Sequence, residues 1–239
     1  MNSTPPQIPV QPLPLEHELT NFVSRLKGTG SIKMVALGSS STAGEGDIPP
    51  YPHRLEMLLR PPLSNRRIDI LNRGLGGEEA PKEFDRIADD VLAEDPCLVI
   101  WQIGTNCVWQ SASDNPPSQQ QTIDALRRGI ELLQKRGTID IVLMDPQYLP
   151  AMLTPAVVDA SNAMVDAIAG VAKETSVNLF RRFDLMKRWS EIAKISFEQM
   201  VDPNDDKRLH QSEWATDMLA KALRDVVLVA LNRSGISTS

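Results

Sequence analysis

Short apolar segments alternate with longer segments of helical periodicity along this sequence, and that alternation constrains the fold more than any other feature. The apolar segments have the length and the branched side chains of buried strands. They run over Ile32–Leu37, Ile68–Leu71, Cys97–Ile103, Ile139–Met144 and Val177–Phe180. Strands that alternate with helices form parallel sheets covered on both faces. The pattern therefore predicts a single α/β domain with about five parallel strands.

The segments between these strands place apolar residues at helical spacing. Pro81 stands where a first helical turn tolerates proline, and Gly137 stands just past the end of another periodic segment. Helices are predicted over Glu16–Leu26, from about His53 to Arg60, from Pro81 through Leu92, from Gln119 to just before Gly137, over Val157–Val171, over Asp184–Ala193 with Asp184 as a possible cap, and from Trp214 to about Leu231.

The first 30 residues differ from the rest of the chain. Met1–Leu15 is rich in proline and carries no charge, which is typical of an extended lead-in or linker. We expect residues 1–30 to form a proline-rich arm with one short helix. Residues 31–239 then form one domain, because no repeat and no second linker interrupts them.

Composition excludes several classes of function. The formal net charge of −6, without a basic stripe, argues against nucleic acid as the main partner. No segment is apolar for long enough to span a membrane, and no signal peptide opens the chain. We expect a soluble protein, cytoplasmic as written, or periplasmic or secreted if an N-terminal signal was trimmed. The residues show no metal-ligand spacing, and Gly38–Gly46 lacks the lysine of a phosphate-binding loop, so neither a metal site nor such a loop is predicted.

Polar and small residues follow three consecutive predicted strands. They occupy Gly38–Thr42, Asn72–Gly77 and Gly104–Asn106. Parallel strands point the same way, so these segments should meet at one rim of the sheet, where α/β proteins bind ligands. Together they supply a serine hydroxyl, glycine amides and a carboxamide. Acyl transfer needs such a nucleophile and such donors to the developing oxyanion.

A serine nucleophile also needs a base. Of the three histidines, only His210 lies in a charged loop just before the last helix; the others are His17 and His53. Aspartates 202, 205 and 206 precede His210, and a carboxylate there could orient the imidazole through its other ring nitrogen.

These segments resemble the conserved blocks of the SGNH (GDSL-like) hydrolase family. Gly38–Gly44 is similar to the first block, Asn72–Gly77 to the second and Gly104–Asn106 to the third, and His210 falls where the fifth block places its histidine. The resemblance implies a three-layer α/β/α sandwich with a flavodoxin-like parallel sheet, a carboxylic ester substrate and no cofactor. Residues 31–239 would be its catalytic domain.

Position by position, the resemblance implies that Ser40 is the nucleophile and His210 the general base. The Ser40 amide, Gly77 and Asn106 would form the oxyanion hole. Two positions depart from the family pattern: Ser39 replaces an aspartate, and Lys207 occupies the place of the triad aspartate, three residues before the histidine. A bulge of one residue would bring Asp206 to the imidazole instead, and we assign it that role. A backbone carbonyl is the alternative.

Each assignment has a purely structural alternative. The Ser40 segment could simply form a turn, Asn106 could close its own turn, and His210 could merely precede a helix. Gly77 is hard to separate from Gly74 and Gly76, any of which could be needed only for a positive φ.

The expected reaction is serine-dependent hydrolysis of esters with short acyl groups, including O-acetyl esters of carbohydrates. Trp109 and Tyr148, each just past a predicted strand, are candidates for the substrate pocket. An O-acyltransferase on the same scaffold is one alternative. A non-catalytic carbohydrate-binding or interaction domain is the other, because of Lys207. The sequence leaves the oligomeric state open.

Overall fold

A five-stranded, all-parallel sheet forms the centre of the protein. The computed structural model describes residues 7–64, 66–110 and 115–238. Its strands are β1 Ile32–Gly38, β2 Ile68–Gly74, β3 Leu98–Gln102, β4 Asp140–Met144 and β5 Asn178–Phe180. Their order across the sheet is β2-β1-β3-β4-β5, which is the flavodoxin-like order. The chain leaves β1 toward one side and returns to β3 on the other, so the strand order reverses between β1 and β3.

Helices cover both faces of the sheet, which confirms the predicted three-layer sandwich. They are α1 Thr20–Lys27, α2 Ser40–Ala43, α3 Tyr51–Leu59, α4 Ala80–Asp85, α5 Ile87–Asp90, α6 Asn106–Trp109, α7 Gln119–Gln134, α8 Val158–Thr175, α9 Arg182–Glu191, α10 Phe197–Met200 and α11 Glu213–Arg233. Within the described ranges, none of them is both long and apolar enough to cross a membrane.

Alternating side chains of the strands divide the core into two layers. Met34 and Ile100 point into the cluster formed with α1, α3, α9 and α11. Val35 and Trp101 point into the cluster formed with α4, α5, α7 and α8. Successive strand residues face opposite sides of a sheet, so a fully apolar strand serves both layers at once. This explains why β1 and β3 are mostly apolar.

Several element boundaries differ from those predicted. β2 extends to Gly74 because its polar last residues still pair with the end of β1, in register with Gly38. The helix predicted over 81–92 is two helices that meet at Arg86. The prediction of Asp184 as an N-cap is wrong, since Arg181 holds that position and Asp184 lies in the first turn.

The N-terminal segment from residue 7 packs against the domain. Leu15 and Leu19 are fully buried in the core. The backbone N–H of His17 donates to Asn178 Oδ1 (2.8 Å), and its carbonyl accepts from Asn178 Nδ2 (3.2 Å). Because the backbone of His17 is bound to Asn178, it is not available for helical hydrogen bonds. The helix α1 therefore starts at Thr20, later than predicted. The first six residues lie outside the described part.

Candidate active site

Ser40 begins α2, directly after β1, at the edge where the strand order reverses. The turn before it is held by Gln102 at the end of β3. The Oε1 atom of Gln102 accepts from Ser39 N (3.2 Å), Ser39 Oγ (3.1 Å) and Thr42 Oγ1 (3.3 Å). Gln102 is buried, and its place as the polar residue of an otherwise apolar strand was a signal for this role that we missed.

The structure brings Ser40 and His210 together across 170 residues of sequence. Ser40 Oγ lies 3.0 Å from His210 Nε2. On the other side of the ring, His210 Nδ1 lies 3.0 Å from Asp205 Oδ2. A carboxylate accepts only, so Nδ1 carries the proton in this arrangement and Nε2 is left to accept from the serine hydroxyl. His17, by contrast, is exposed and contacts β5 through its backbone.

The prediction that Asp206 contacts the imidazole is wrong. Asp205 makes the contact, and Asp206 is exposed. Two consecutive turns, closed by Asp205 N donating to Asp202 O and Arg208 N donating to Asp205 O, shape the loop. Arg208 adopts a left-handed φ of 56°. These turns accommodate the longer spacing between the aspartate and the histidine. They direct the side chain of Asp205, rather than that of Asp206, toward the imidazole.

The backbone of its own loop holds Asp205 in place. Its Oδ2 atom also accepts from the amides of Leu209 and His210, each at 2.7 Å. Burial opposes its ionisation, but these amide hydrogen bonds and the charge of His210 together lower the pKa of Asp205 below its ordinary value. The carboxylate therefore stays ionised beside the imidazole.

Lys207 does not enter the site. Its Nζ lies 5.2 Å from the ring centroid of Trp109, at the end of α6, within reach of a cation–π contact. Trp109 also packs against the small cluster that contains Met152 and Leu209. It therefore borders the His210 loop. Tyr148 packs elsewhere, against Phe183 and Phe197, with ring centroids 5.1 and 5.9 Å apart.

The second and third polar segments are joined through Asn106. Its Nδ2 donates to Glu78 O (2.7 Å), so the side chain reaches across to the neighbouring loop and does not close its own turn. Gly77 has a left-handed φ of 77°, a conformation that favours glycine, and its carbonyl accepts from Gln110 Nε2 (3.2 Å). Asn106 Nδ2 and the Gly77 amide are thus carried by two adjoining loops.

A buried polar network links these loops to the histidine. Gln147 Oε1 accepts from Thr105 Oγ1 (3.0 Å) and from Arg182 Nη2 (2.9 Å). Gln147 Nε2 donates to Leu209 O (3.1 Å), beside His210. Burial lowers the pKa of Arg182 to about 10, and the charge of Asp145 opposes that shift. Neither Gln147 nor Arg182 carried a motif that would have identified it in the sequence.

A small cavity of about 20 Å³ opens beside Ser40 and His210. Glu45 and Ile48 are among its lining residues. Glu45 Oε1 lies 3.7 Å from His210 Nε2, and its side chain is about half exposed. This second carboxylate follows the Gly44 turn and was not anticipated. In the part of the chain that the structure describes, no group of three or more His, Cys, Asp or Glu side chains could hold a metal ion.

The chain thus places a serine, a histidine and an aspartate in hydrogen-bond contact at the edge of a flavodoxin-like sheet. The family model described as the Non-GDSL lipase-like family matches residues 5–233, and the chain belongs to this family. The match confirms the predicted relationship to GDSL-like hydrolases and the predicted enzyme class, a carboxylic ester hydrolase. A search of curated proteins found no match.

Solved structures share the fold at low sequence identity. LAE5, an alpha/beta hydrolase enzyme from the metagenome of Lake Arreo, is 20% identical (TM-score 0.69), with 86% of this chain and 98% of that one covered. Axe2, an acetylxylan esterase from Geobacillus stearothermophilus, is 21% identical (TM-score 0.65; 83% and 95% covered). A lipase/acylhydrolase from Enterococcus faecalis is 18% identical (TM-score 0.67; 84% and 96% covered).

Proposed function

We propose that this protein hydrolyses short-chain carboxylic esters through an acyl-enzyme intermediate on Ser40. The observation that carries the proposal is the continuous contact from Ser40 Oγ to His210 Nε2 and from His210 Nδ1 to Asp205 Oδ2, each at 3.0 Å. A nucleophile, a base and a group that orients the base are the arrangement needed for acyl transfer.

The reaction begins when His210 Nε2 takes the proton of Ser40 as Oγ attacks the ester carbonyl. The resulting imidazolium is stabilised by Asp205 and gives its proton to the leaving alcohol. A water molecule, activated in turn by His210, then attacks the acyl-enzyme and releases the acid.

Three donors are available for the oxyanion. Ser40 is the first residue of α2, so its backbone N–H has no acceptor within the helix. The amide of Gly77 comes from the second loop. The second N–H of the Asn106 carboxamide, beyond the one that binds Glu78 O, comes from the third. Donors of this kind contribute roughly 10²–10³-fold each to acyl transfer.

The substrate we propose is a neutral ester with a small acyl group, such as an O-acetyl carbohydrate. A cavity of about 20 Å³ beside Ser40 matches a group of about the size of one water molecule. The carboxylate of Glu45, beside His210, disfavours an anionic substrate. The name of Axe2, an acetylxylan esterase, points to the same chemistry.

Mutants of Axe2 support the assignment of roles. Three of them, described as catalytic mutants, replace a serine, an aspartate and a histidine by alanine, and that aspartate precedes the histidine by three residues. Here the spacing from Asp205 to His210 is five residues. The contact of Asp205 with the ring supports catalysis over the non-catalytic alternative that Lys207 suggested.

The test is hydrolysis of p-nitrophenyl acetate by the wild type and by Ser40→Ala. We expect kcat/KM of the variant to fall by at least about 10³-fold, because the nucleophile is removed. The matched control is Ser41→Ala, for which we expect a change of less than about tenfold. A serine-directed phosphonate should add its mass to the peptide that contains Ser40. Equal rates for the wild type and Ser40→Ala would refute the proposal.

A further inference from the structure

The carboxylate of Glu79 is buried between the second and third polar segments. It is 3% exposed and accepts four backbone N–H groups. Its Oε1 accepts from Ala80 (3.0 Å) and Gly104 (2.8 Å), and its Oε2 accepts from Asn106 (3.0 Å) and Cys107 (3.3 Å). Three of these donors lie 25 to 28 residues away in the sequence. One side chain thus spans the whole turn that carries the Asn106 carboxamide.

The same turn is closed from its other side. At Gly104 a Cβ atom would lie 2.8 Å from side-chain atoms of Met164 and Ile168, so α8 packs directly on the backbone there. The turn is therefore enclosed between an apolar helix and a carboxylate. Glu79 supplies its polar support, since it binds the N–H groups on both sides of residue 105.

A second buried carboxyl group, Glu83, lies one helical turn further along α4. Its Oε2 accepts from Trp101 Nε1 (2.7 Å), and its Oε1 is buried without a hydrogen-bond partner. Burial, with the nearby charge of Glu79, raises the pKa of Glu83 well above its ordinary value. Burial raises the pKa of Glu79 as well, but the four backbone N–H groups that its oxygens accept oppose that shift, because they bind the ionised form. Of the two groups, Glu83 is therefore the one that holds a proton and Glu79 the one that is ionised.

We infer that Glu79 is a positioning residue for catalysis: by binding the amides of Gly104, Asn106 and Cys107, it holds the Asn106 carboxamide where the oxyanion develops. This inference rests on the proposed function, in which Asn106 is an oxyanion donor. Glu79 would act through Asn106 and would not contact the substrate itself.

Two isosteric variants separate this role from general stability. Glu79→Gln places an NH₂ group against N–H donors, so at least one side of the turn loses its acceptor. Glu83→Gln resembles the protonated form of Glu83 and still offers an oxygen to Trp101. The two positions are buried in the same region, so Glu83→Gln is the matched control.

The first measurement is amide hydrogen exchange, which does not depend on activity. In Glu79→Gln we expect the amides of Gly104, Asn106 and Cys107 to exchange at least about tenfold faster. Amides in β1 and β3 should keep the wild-type rate, and Glu83→Gln should leave all of these amides unchanged. Unchanged exchange at the three amides in Glu79→Gln would overturn the inference, whatever the protein hydrolyses.

The second measurement is steady-state hydrolysis of p-nitrophenyl acetate. We expect Glu79→Gln to lower kcat about 10²-fold, the effect of removing one oxyanion donor, with KM within about threefold. In an Asn106→Ala background the same change should lower kcat by less than about threefold, because the group through which Glu79 acts is already gone. Full additivity of the two changes would overturn the inference.

A further variant, Glu79→Asp, guards against the case in which Glu79→Gln does not fold. It keeps the carboxylate charge on a shorter side chain. We expect it to recover part of the kcat lost in Glu79→Gln. If both Glu79 variants are unfolded where Glu83→Gln is folded, Glu79 serves overall stability and the positioning role is refuted. A wild type that does not hydrolyse the ester contradicts the proposed function alone, since the exchange measurement still tests the contacts of Glu79.

Discussion

At the scale of single residues, the orientation of His210 depends on one oxygen atom. Asp205 Oδ2 accepts from the ring Nδ1 and from the backbone amides of Leu209 and His210. The loop that carries the histidine therefore fixes the carboxylate, and the carboxylate fixes the ring. This closed arrangement brings to the ring an aspartate that lies five residues before the histidine, where the family pattern has one three residues before it.

We predict that Asp205→Asn lowers kcat about 10³–10⁴-fold, because an amide in that place no longer enforces the tautomer with the proton on Nδ1. The matched control is Asp206→Asn, which changes an exposed carboxylate next to it and should alter kcat less than about twofold. Steady-state kinetics on p-nitrophenyl acetate decides between them. A larger loss in Asp206→Asn would show that the loop follows another path in solution.

At the scale of helices and strands, two glycines inside long helices have opposite surroundings. At Gly129 in α7, an added Cβ atom would overlap the ring of Trp101, the residue of β3 that faces this helix. At Gly170 in α8, nothing lies within 4 Å of the added Cβ. Gly129 is therefore required by the packing of α7 on the sheet. No packing contact requires glycine at position 170, and glycine there makes α8 less stable than alanine would.

We predict opposite effects of alanine at these two positions. Gly170→Ala should raise the free energy of unfolding by about 0.5–1 kcal/mol, the difference in helix propensity. Gly129→Ala should lower it by about 1–3 kcal/mol, because the indole or the helix has to move. Urea unfolding measures both changes. Stabilisation by Gly129→Ala would show that α7 does not approach Trp101 this closely.

At the scale of the whole molecule, buried carboxyl groups couple folding to pH. Burial raises the pKa of Asp140 and raises that of Asp145 to about 7. An unfolded aspartate titrates near about 3.9. The folded state binds the Asp145 proton more tightly, so this group adds most to stability below about pH 4 and loses that contribution as the pH rises to about 7. Asp205, with its lowered pKa, acts in the opposite direction.

We predict that Asp145→Asn removes this loss. Asparagine cannot ionise and can still accept from the Phe183 amide, as Asp145 Oδ1 does at 2.8 Å. The difference in unfolding free energy, variant minus wild type, should therefore increase from pH 5 to pH 8, whatever its value at pH 5. Urea unfolding at both pH values measures it, with the exposed Asp159→Asn as control. A difference that stays constant with pH would show that Asp145 is ionised throughout.

The sequence by itself determined the sheet and the edge that carries the site. The period of apolar residues is a local property, and it identified the segments of all five strands. Because parallel strands end at one rim, the residues after β1, β2 and β3 had to meet there. The segments that contain Ser40 and Asn106 were identifiable on this basis, as was His210 from its place before α11. The choice of Ser40 and Asn106 within those segments came from the resemblance to the SGNH family.

Only the tertiary structure decided which groups hold those residues. The choice of Asp205 over Asp206 depends on two turns and on the left-handed Arg208, and residue types in a short charged loop do not specify such a path. Glu79 and Gln102 act on backbone 25 to 63 residues away, and Tyr148 packs against Phe183 and Phe197. Such contacts depend on how separate elements pack in three dimensions, and the periodicity of residues along the chain does not predict that packing.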